Sequence, residues 1–417
     1  MPYKAFFDMP LNHSIKHIRG SSPYLLDQLI KEIGKAKEIK VSFFLYNNPF
    51  LHEALENIAH KGCKVIIYSL PLNGYTKQEV KISNPEKSRL FVSSKYEYAL
   101  KTYRRVFNRP NNNIEIKIFP HTYRWFKPKY SRGDEPYSLH TKNIWLLDED
   151  GKEKFICLSC NLAFADQQHS ENMLVIEDER NAKNMYKIYF ELLENWSLSL
   201  KQYINYSKQK FDFEYIVKPI NLKDTFNDTY FTAPFICYEN KGSNHYVQEK
   251  IIQFINSASK DITICSQHFM DIDSFDSNAD SIIEHLYKKV TVEKHINLKI
   301  LKQTRANHQS HGKRTKLAEE KFSQLSNVEQ RYWSPVVHDK FIIVDDKLLI
   351  STANFTATQF AWSDQRQVSY EVGDRDIRVS NCFSEVNAFH FIEDVELKSA
   401  YLDHFNELWK HSTTITF

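Results

Sequence analysis

The chain has 417 residues, with 55 Lys+Arg against 52 Asp+Glu for a formal net charge of +3; 42% of residues are hydrophobic and 26% charged. That composition suits a globular chain with material for two cores and excludes long disorder. Only 9 glycines occur, against an average usage of about 7%, which excludes collagen-like and Gly-loop nucleotide-binding architectures. With charge so nearly balanced, affinity for an anion has to come from local patches.

Six scattered cysteines (Cys63, Cys157, Cys160, Cys237, Cys265, Cys382) read as reduced, mostly buried thiols rather than a disulfide framework. Cys157 and Cys160 lack a second Cys pair, so they are expected in the core and not on zinc. No run approaches the ~18 consecutive apolar residues of a membrane span. The N-terminus has no basic head followed by an apolar core, so a cytoplasmic protein without a membrane partner is expected.

In chain order, residues 23–37 place Leu25, Leu26, Leu29, Ile30 and Ile33 at helical spacing, and a strand-forming run at 40–47 follows. A second helical stretch, with Leu51, Ala54, Leu55 and Ile58, leads to another strand at 64–70. Helix, strand, helix, strand is the pattern of a mainly parallel sheet covered by helices. The same order returns as helix 246–260, strand 261–267, helix 280–290 and strand 296–303. Each half then reaches a His-x-Lys segment and closes with a similar phrase, FELLENW at 190–196 and FNELW at 405–409. Such internal repetition predicts two similar lobes, residues 1–207 and 244–417, with an aromatic-rich segment 208–243 packed between them. The fold class expected is α/β, each lobe a mixed, mainly parallel sheet flanked by helices.

In the second half, His338, Lys340, Asp345 and Asn354 fall on a strand, a tight polar turn and a returning strand. Residues two apart on a strand share a face, so His338 and Lys340 project together, and the hairpin returns Asn354 towards them. In the first half His140, Lys142 and Asn161 repeat the arrangement around a longer turn. Here Leu147 stands where the Asp would be, and Asp148 is one residue out of register.

His-x-Lys, four residues, Asp, then a small-residue strand ending in Asn resembles the phospholipase D superfamily signature, and it occurs twice. HTK with SCNLAFAD, and STANFTATQFAW with SYEVGD, are most similar to the tyrosyl-DNA phosphodiesterase and nuclease branch, which carries His, Lys and Asn without the Asp. The resemblance implies a pseudo-twofold fold with one active site between the lobes. It implies a metal-independent phosphodiesterase acting on nucleic acid through a covalent phosphohistidine, with no cofactor and no metal. His140 would be the nucleophile and His338 the general acid/base. Lys142, Lys340, Asn161 and Asn354 would hold the non-bridging oxygens. The orienting partners would be Glu371 and Glu171, with Asn172 able to replace Glu171, and Ser159 and Thr352 would line the pocket. Asp345 is expected to support a turn.

The chemistry needs these residue types. Without a metal, side chains must supply a nucleophile, a proton donor and positive charge around the phosphoryl oxygens. Histidine fills the first two roles because its pKa of about 6.5 makes either form accessible near neutrality. Upstream, the segment 121–132 interleaves cations with aromatics, and Arg124, Trp125 and Lys127 are candidates to stack bases and pair phosphates. Residues 302–316 hold five cations and no acid. Lys313 and Arg314 there are candidates to grip a phosphate backbone, with a solvated loop as the alternative, and His308 and His311 are spaced for a helix. The partner expected is nucleic acid, DNA before RNA. Two motifs in one chain complete a site in a monomer and leave a homodimer open. The alternatives are a phospholipase or phosphatidyl transferase, and a nucleic-acid-binding protein that keeps the fold without catalysis.

Overall fold

The structure, a computed structural model, describes residues 2–9, 23–44, 46, 48–69, 113–119, 123–127, 130–135, 139–161, 169–177, 179–199, 202, 219–225, 228–269, 282–303, 312–334, 336–355, 360, 368–372, 375–379 and 385–415. In the first half the strands are β1 (Tyr3–Asp8), β2 (Ala36–Phe43), β3 (Lys64–Ser69), β4 (Ile114–Ile118), β5 (Tyr123–Lys127), β6 (Tyr130–Glu135), β7 (Lys142–Asp148), β8 (Glu153–Leu158), β9 (His169–Glu177) and β10 (Leu198–Ser199). Its helices are α1 (Pro23–Ile33), α2 (Pro49–His60) and α3 (Arg180–Asn195). The second half begins with β11 (Ile220–Leu222), β12 (Thr229–Thr232), β13 (Ile236–Tyr238) and β14 (Lys241–Gly242). It continues with β15 (Asp261–Ser266), β16 (Asn297–Gln303), β17 (Val328–Trp333), β18 (Val336–Val337), β19 (Lys340–Val344) and β20 (Lys347–Ser351). After these come β21 (Val368–Val372), β22 (Arg375–Val379), β23 (Asn387–Ile392) and β24 (Thr413–Thr414). Its helices are α4 (Ser243–Asn256), α5 (Ile282–Val292), α6 (Gly312–Ser323) and α7 (Val395–Lys410).

The repeat legible in the sequence is a repeat of topology. One sheet runs β1-β9-β8-β7-β2-β3-β4-β10 and the other β12-β23-β20-β19-β15-β16-β17-β24, the same order strand for strand. Along each of these paths three strands are parallel (β2-β3-β4 and β15-β16-β17) and the remaining pairs are antiparallel, while β18 joins β9 in parallel off the first path. The sheets are therefore mixed with an antiparallel majority, not mainly parallel. Helix–strand alternation reveals the crossover portion of each half, whereas the His-x-Lys hairpins add antiparallel strands beside it. Within the segment expected between the lobes, β12 pairs with β23 and belongs to the second sheet.

Sheet faces follow the two-residue period of strands. On β8, Phe155 and Cys157 enter one apolar cluster, while Ile156 and Leu158 enter another beneath α1 and α2. The first cluster continues through α3 and β12 into the whole second sheet, so the two halves share a core. Tyr189 of α3 stacks on Phe231 of β12, with ring centroids 4.0 Å apart and an 8° interplanar angle. Such a pair is worth about 0.5–1.5 kcal/mol beyond its area burial. In the same way α7 bridges the halves, Tyr401 meeting Phe7 at 4.9 Å and Phe341 at 5.0 Å.

Local signals position these helices. Asn48 caps α2 by accepting the amides of Phe50 and Leu51, with Pro49 in the first turn. Glu179 and Asp394 cap α3 and α7 in the same manner. Cys157 and Cys160 are buried, as expected of core thiols.

Candidate active site

The two His-x-Lys segments lie where each half hands its chain to the other. Val336 and Val337 of β18 pair in parallel with His169 and Ser170 of β9, and the His338 amide donates to the Ser170 carbonyl at 3.0 Å. The mirror contact is Leu139 bridging Val386 in parallel, with the His140 amide donating to the Val386 carbonyl at 3.0 Å. Each histidine is thus pinned to the strand of the opposite half that carries its side-chain partner.

Those partners follow from that pairing. Glu171 of β9 accepts the Nδ1–H of His338, at 2.7 and 2.9 Å to its two carboxylate oxygens, and the Ser159 hydroxyl at 2.5 Å. Asn387 of β23 accepts the Nδ1–H of His140 at 3.0 Å and the Thr352 hydroxyl at 3.0 Å. The backbone amides of Asn172 and Ala388 donate to the Ser159 and Thr352 oxygens at 2.8 and 3.0 Å. Carboxylate and amide oxygens only accept, so each imidazole carries its hydrogen on Nδ1 and keeps Nε2 as its acceptor nitrogen.

Asn387 is the residue that sequence reasoning missed. Glu371, expected to orient a histidine, lies on β21, where its backbone pairs with Asp376 of β22; its side chain is outside the described residues. The Nδ1 of His140 is taken by Asn387, with Glu385 Oε2 at 3.6 Å, which corrects that expectation. Asn172 does not replace Glu171: its amide donates to Asp339 at 2.6 Å.

Lys142 and Lys340 are fully buried, rare for lysine. Their ammonium groups donate to the carbonyls of His140 and His338 at 2.7 and 2.5 Å, which places each charge beside its own imidazole. Lys142 Nζ stands 3.3 Å from His140 Nε2. The residue between His and Lys faces the other way and anchors the strand. Thr141 bonds Ser42 at 2.6 Å and Tyr189 at 3.0 Å, and Asp339 bonds His404 at 3.1 Å. Asn161 and Asn354 follow β8 and β20 on the returning arms of the hairpins.

Electrostatics follow from burial. His140 and His338 are 8% and 7% exposed. Burial first, and then the two lysines, hold both imidazoles well below the usual value of about 6.5. Neighbouring rings add to this: His338 lowers His140, and His169 lowers His338. Burial raises the Glu171 carboxyl, and His169, Lys340 and Ser159 work against that rise. Both imidazoles are therefore neutral near pH 7, and an arriving anion would offset the lysine charges and ease protonation of one of them.

Asp345 sits apart from this centre. It occupies a turn with φ +52° and accepts the amides of Ser259, Lys260 and Asp261 and the Ser259 hydroxyl. Arg124, Trp125 and Lys127 lie on β5 of a separate hairpin with β6, and Lys313 and Arg314 open α6; their side chains are outside the described residues. His308 and His311 lie outside them altogether. Lys302 departs from the solvated-loop reading: it lies within β16, buried and 3.0 Å from Glu319.

Residues 251–377, which include the second His-x-Lys motif, match the family model described as cardiolipin synthase, PLD-like domain. No curated protein matches the sequence. Among solved structures, phosphatidylserine synthase of Haemophilus influenzae Rd KW20 is similar at 12% identity and TM-score 0.60, over 99% of this chain and 87% of that one. Polyphosphate kinase from Porphyromonas gingivalis is similar at 11% identity and TM-score 0.51; 96% of this chain is covered, and it spans 49% of the kinase's length. Nuc from Salmonella typhimurium, a phospholipase D family member, is 17% identical at TM-score 0.31 over 45% of this chain and 97% of its own. The chain has a phospholipase D-like fold of two topologically equivalent halves, the second of which contains the residues that match the PLD-like family model.

Proposed function

We propose that this chain is a metal-independent phosphodiesterase of nucleic acid, with His140 as nucleophile and His338 as general acid and base. The observation that carries the reading is the asymmetry of the two Nδ1 partners. An amide oxygen holds His140, which fixes its tautomer without adding charge and leaves the Nε2 lone pair to attack phosphorus. A carboxylate holds His338, which stabilises the imidazolium that a proton donor must become.

In the first step a P–N bond forms to His140 Nε2 as the P–O bond to the leaving group breaks, and that oxygen takes the proton from His338 Nε2. In the second, water gives a proton to His338 and attacks phosphorus, and the P–N bond breaks to restore His140. Lys142 and Lys340, with the amides of Asn161 and Asn354, would hold the non-bridging oxygens and stabilise charge that builds in the transition state. Arg124, Trp125, Lys127, Lys313 and Arg314 are the side chains to which we assign the nucleic acid strand, DNA before RNA.

A second reading, phosphatidyl transfer or phospholipid hydrolysis, is favoured by the match to the cardiolipin synthase PLD-like domain. Among the described residues no helix is long and apolar enough to cross a membrane. Purified protein in excess EDTA, offered single-stranded DNA, DNA with a 3′-phosphotyrosyl end, RNA and phosphatidylglycerol vesicles, separates the readings. Cleavage of the nucleic acids with inert vesicles is expected. Vesicle turnover alone would replace nucleic acid by lipid, and activity restored only by magnesium would remove the metal-independent mechanism.

A further inference from the structure

The halves match strand for strand, and their differences at the centre are informative. On β9 the partner of His338 is preceded, two residues earlier, by His169; at the equivalent place before Asn387 stands Glu385. One half therefore surrounds its cross-lobe histidine with an imidazole and a carboxylate, and the other with a carboxylate and an amide. His169 and Glu171 share a face of β9. His169 Nδ1 lies 3.4 Å from Glu171 Oε1, and His338 Nδ1 lies 2.7 Å from the same oxygen. The two rings are 5.3 Å apart at an angle of 49°. One ligand atom from each of His169, Glu171 and His338 falls within 4.8 Å of the other two.

We propose that His169, Glu171 and His338 form an inhibitory site for a divalent transition metal, zinc being the ion it suits best. Two imidazoles and one carboxylate are a ligand set that zinc uses in sites with an open fourth position. Magnesium and calcium prefer six or more oxygen ligands and are not served by this trio. At zinc bond lengths of about 2.0–2.2 Å, tetrahedral ligands stand about 3.3 Å apart, so side-chain shifts of about an ångström close the trio on an ion. The surroundings oppose tight binding, because Lys340 acts on Glu171 and both lysines act on His338. A dissociation constant on the order of micromolar follows, weaker than that of a structural zinc site.

The ion would take the Nδ1 position of His338 and the Glu171 oxygens, and so replace the hydrogen bond between them. That the ion inhibits rests on the function proposed above; that it binds does not. The site regulates by competition for Glu171 and His338, and it is not a cofactor site. Among the described residues no equivalent trio surrounds His140, where Asn387 stands in place of a carboxylate and Glu385 in place of a histidine.

The test is a titration of the whole chelator-treated chain with Zn²⁺, and with Co²⁺ as a visible-absorbing substitute, for wild type and His169→Gln and His169→Asn. Thermal unfolding checks that each variant is folded. One ion per chain is expected, with Co²⁺ absorption typical of four- or five-coordination and affinity about tenfold or more weaker in both variants. Phosphodiester cleavage, read as the ratio with and without saturating Zn²⁺, should fall at least about tenfold in wild type and much less in the variants. Equal affinity in wild type and both folded variants would overturn the site. An active enzyme indifferent to bound Zn²⁺ would overturn its inhibitory role. Protein that binds one ion through His169 yet cleaves no phosphodiester would leave the metal site standing and overturn the proposed function instead.

Discussion

Glu171 and His338 come from opposite halves of the chain, yet the carboxylate accepts the ring's Nδ1–H at 2.7 Å with both groups buried. No single half can therefore assemble a complete centre. Glu171→Gln keeps an acceptor oxygen but removes the charge that supports an imidazolium. It should lower kcat by about 10²–10⁴ with little change in fold, as far as proton transfer limits turnover. Steady-state kinetics with a circular dichroism melt check this, and a variant with unchanged kcat would take Glu171 out of the proton-transfer role.

Asn387→Asp tests the opposite partner. A carboxylate on His140 Nδ1 favours the charged ring and raises its pKa by about 1–3 units. More of the proposed nucleophile is then protonated at a given pH, so the acid limb of kcat/KM should move to higher pH. At neutral pH, kcat/KM should drop about tenfold or more. An unmoved acid limb would mean that His140 is not the group titrating there.

The unmodified protein has its own pH signature. Burial and the two lysines depress both imidazoles, so the protonated acid and the neutral base coexist in the free enzyme only on the acid side of about 6.5. The bell of kcat/KM against pH should be centred below that value. That of kcat should lie higher, because a bound anion raises the acid's pKa. A kcat/KM optimum above pH 8 would contradict the arrangement.

His390 links the halves away from the site, with Tyr186 at 3.2 Å from Nε2 and Thr229 at 3.3 Å from Nδ1. Burial pushes it down to about 3. Its folded pKa lies below its unfolded value of about 6.5, so only the unfolded chain binds the proton between those limits and stability falls as pH drops through that window. By pH 5 the loss is about 2 kcal/mol. In His390→Gln, chemical denaturation should show a difference between pH 7 and pH 5 smaller by about that amount. An identical pH dependence would show that His390 does not supply it.

For Asp345, loss of stability without loss of chemistry is expected. Asp345→Ala removes the acceptor of three amides and a hydroxyl and should cost about 1–2 kcal/mol. Asp345→Asn, which tolerates the positive φ, should cost less. Turnover per folded molecule should hold in both; a collapse of kcat in the folded Asn variant would bring Asp345 into the site.

Much of this was legible because the repeat is written in local patterns. Helical spacing, alternating strands and the His-x-Lys hairpins gave both halves and the histidine–lysine pairs, while Ser159, Thr352 and Glu171 came from the resemblance to the phospholipase D superfamily. Asn387 was not legible for a reason of chain geometry. Glu171 follows Ser159 by 12 residues, but Asn387 follows Thr352 by 35, with the β21–β22 hairpin inserted between. Counting along the sequence therefore stopped at Glu371. The better signal is the small hydroxyl that bonds both the orienting side chain and the amide one residue beyond it. Sheet sense is hidden in a similar way, since helix–strand alternation reports crossovers and is blind to hairpin strands.

The most direct measurement is rapid acid-free denaturation of His338→Asn during turnover, followed by mass spectrometry of the peptide that contains His140. A phosphoryl group carried by a P–N bond on His140 is predicted to accumulate. Finding no adduct there, together with undiminished turnover in His140→Ala, would contradict attack by this imidazole.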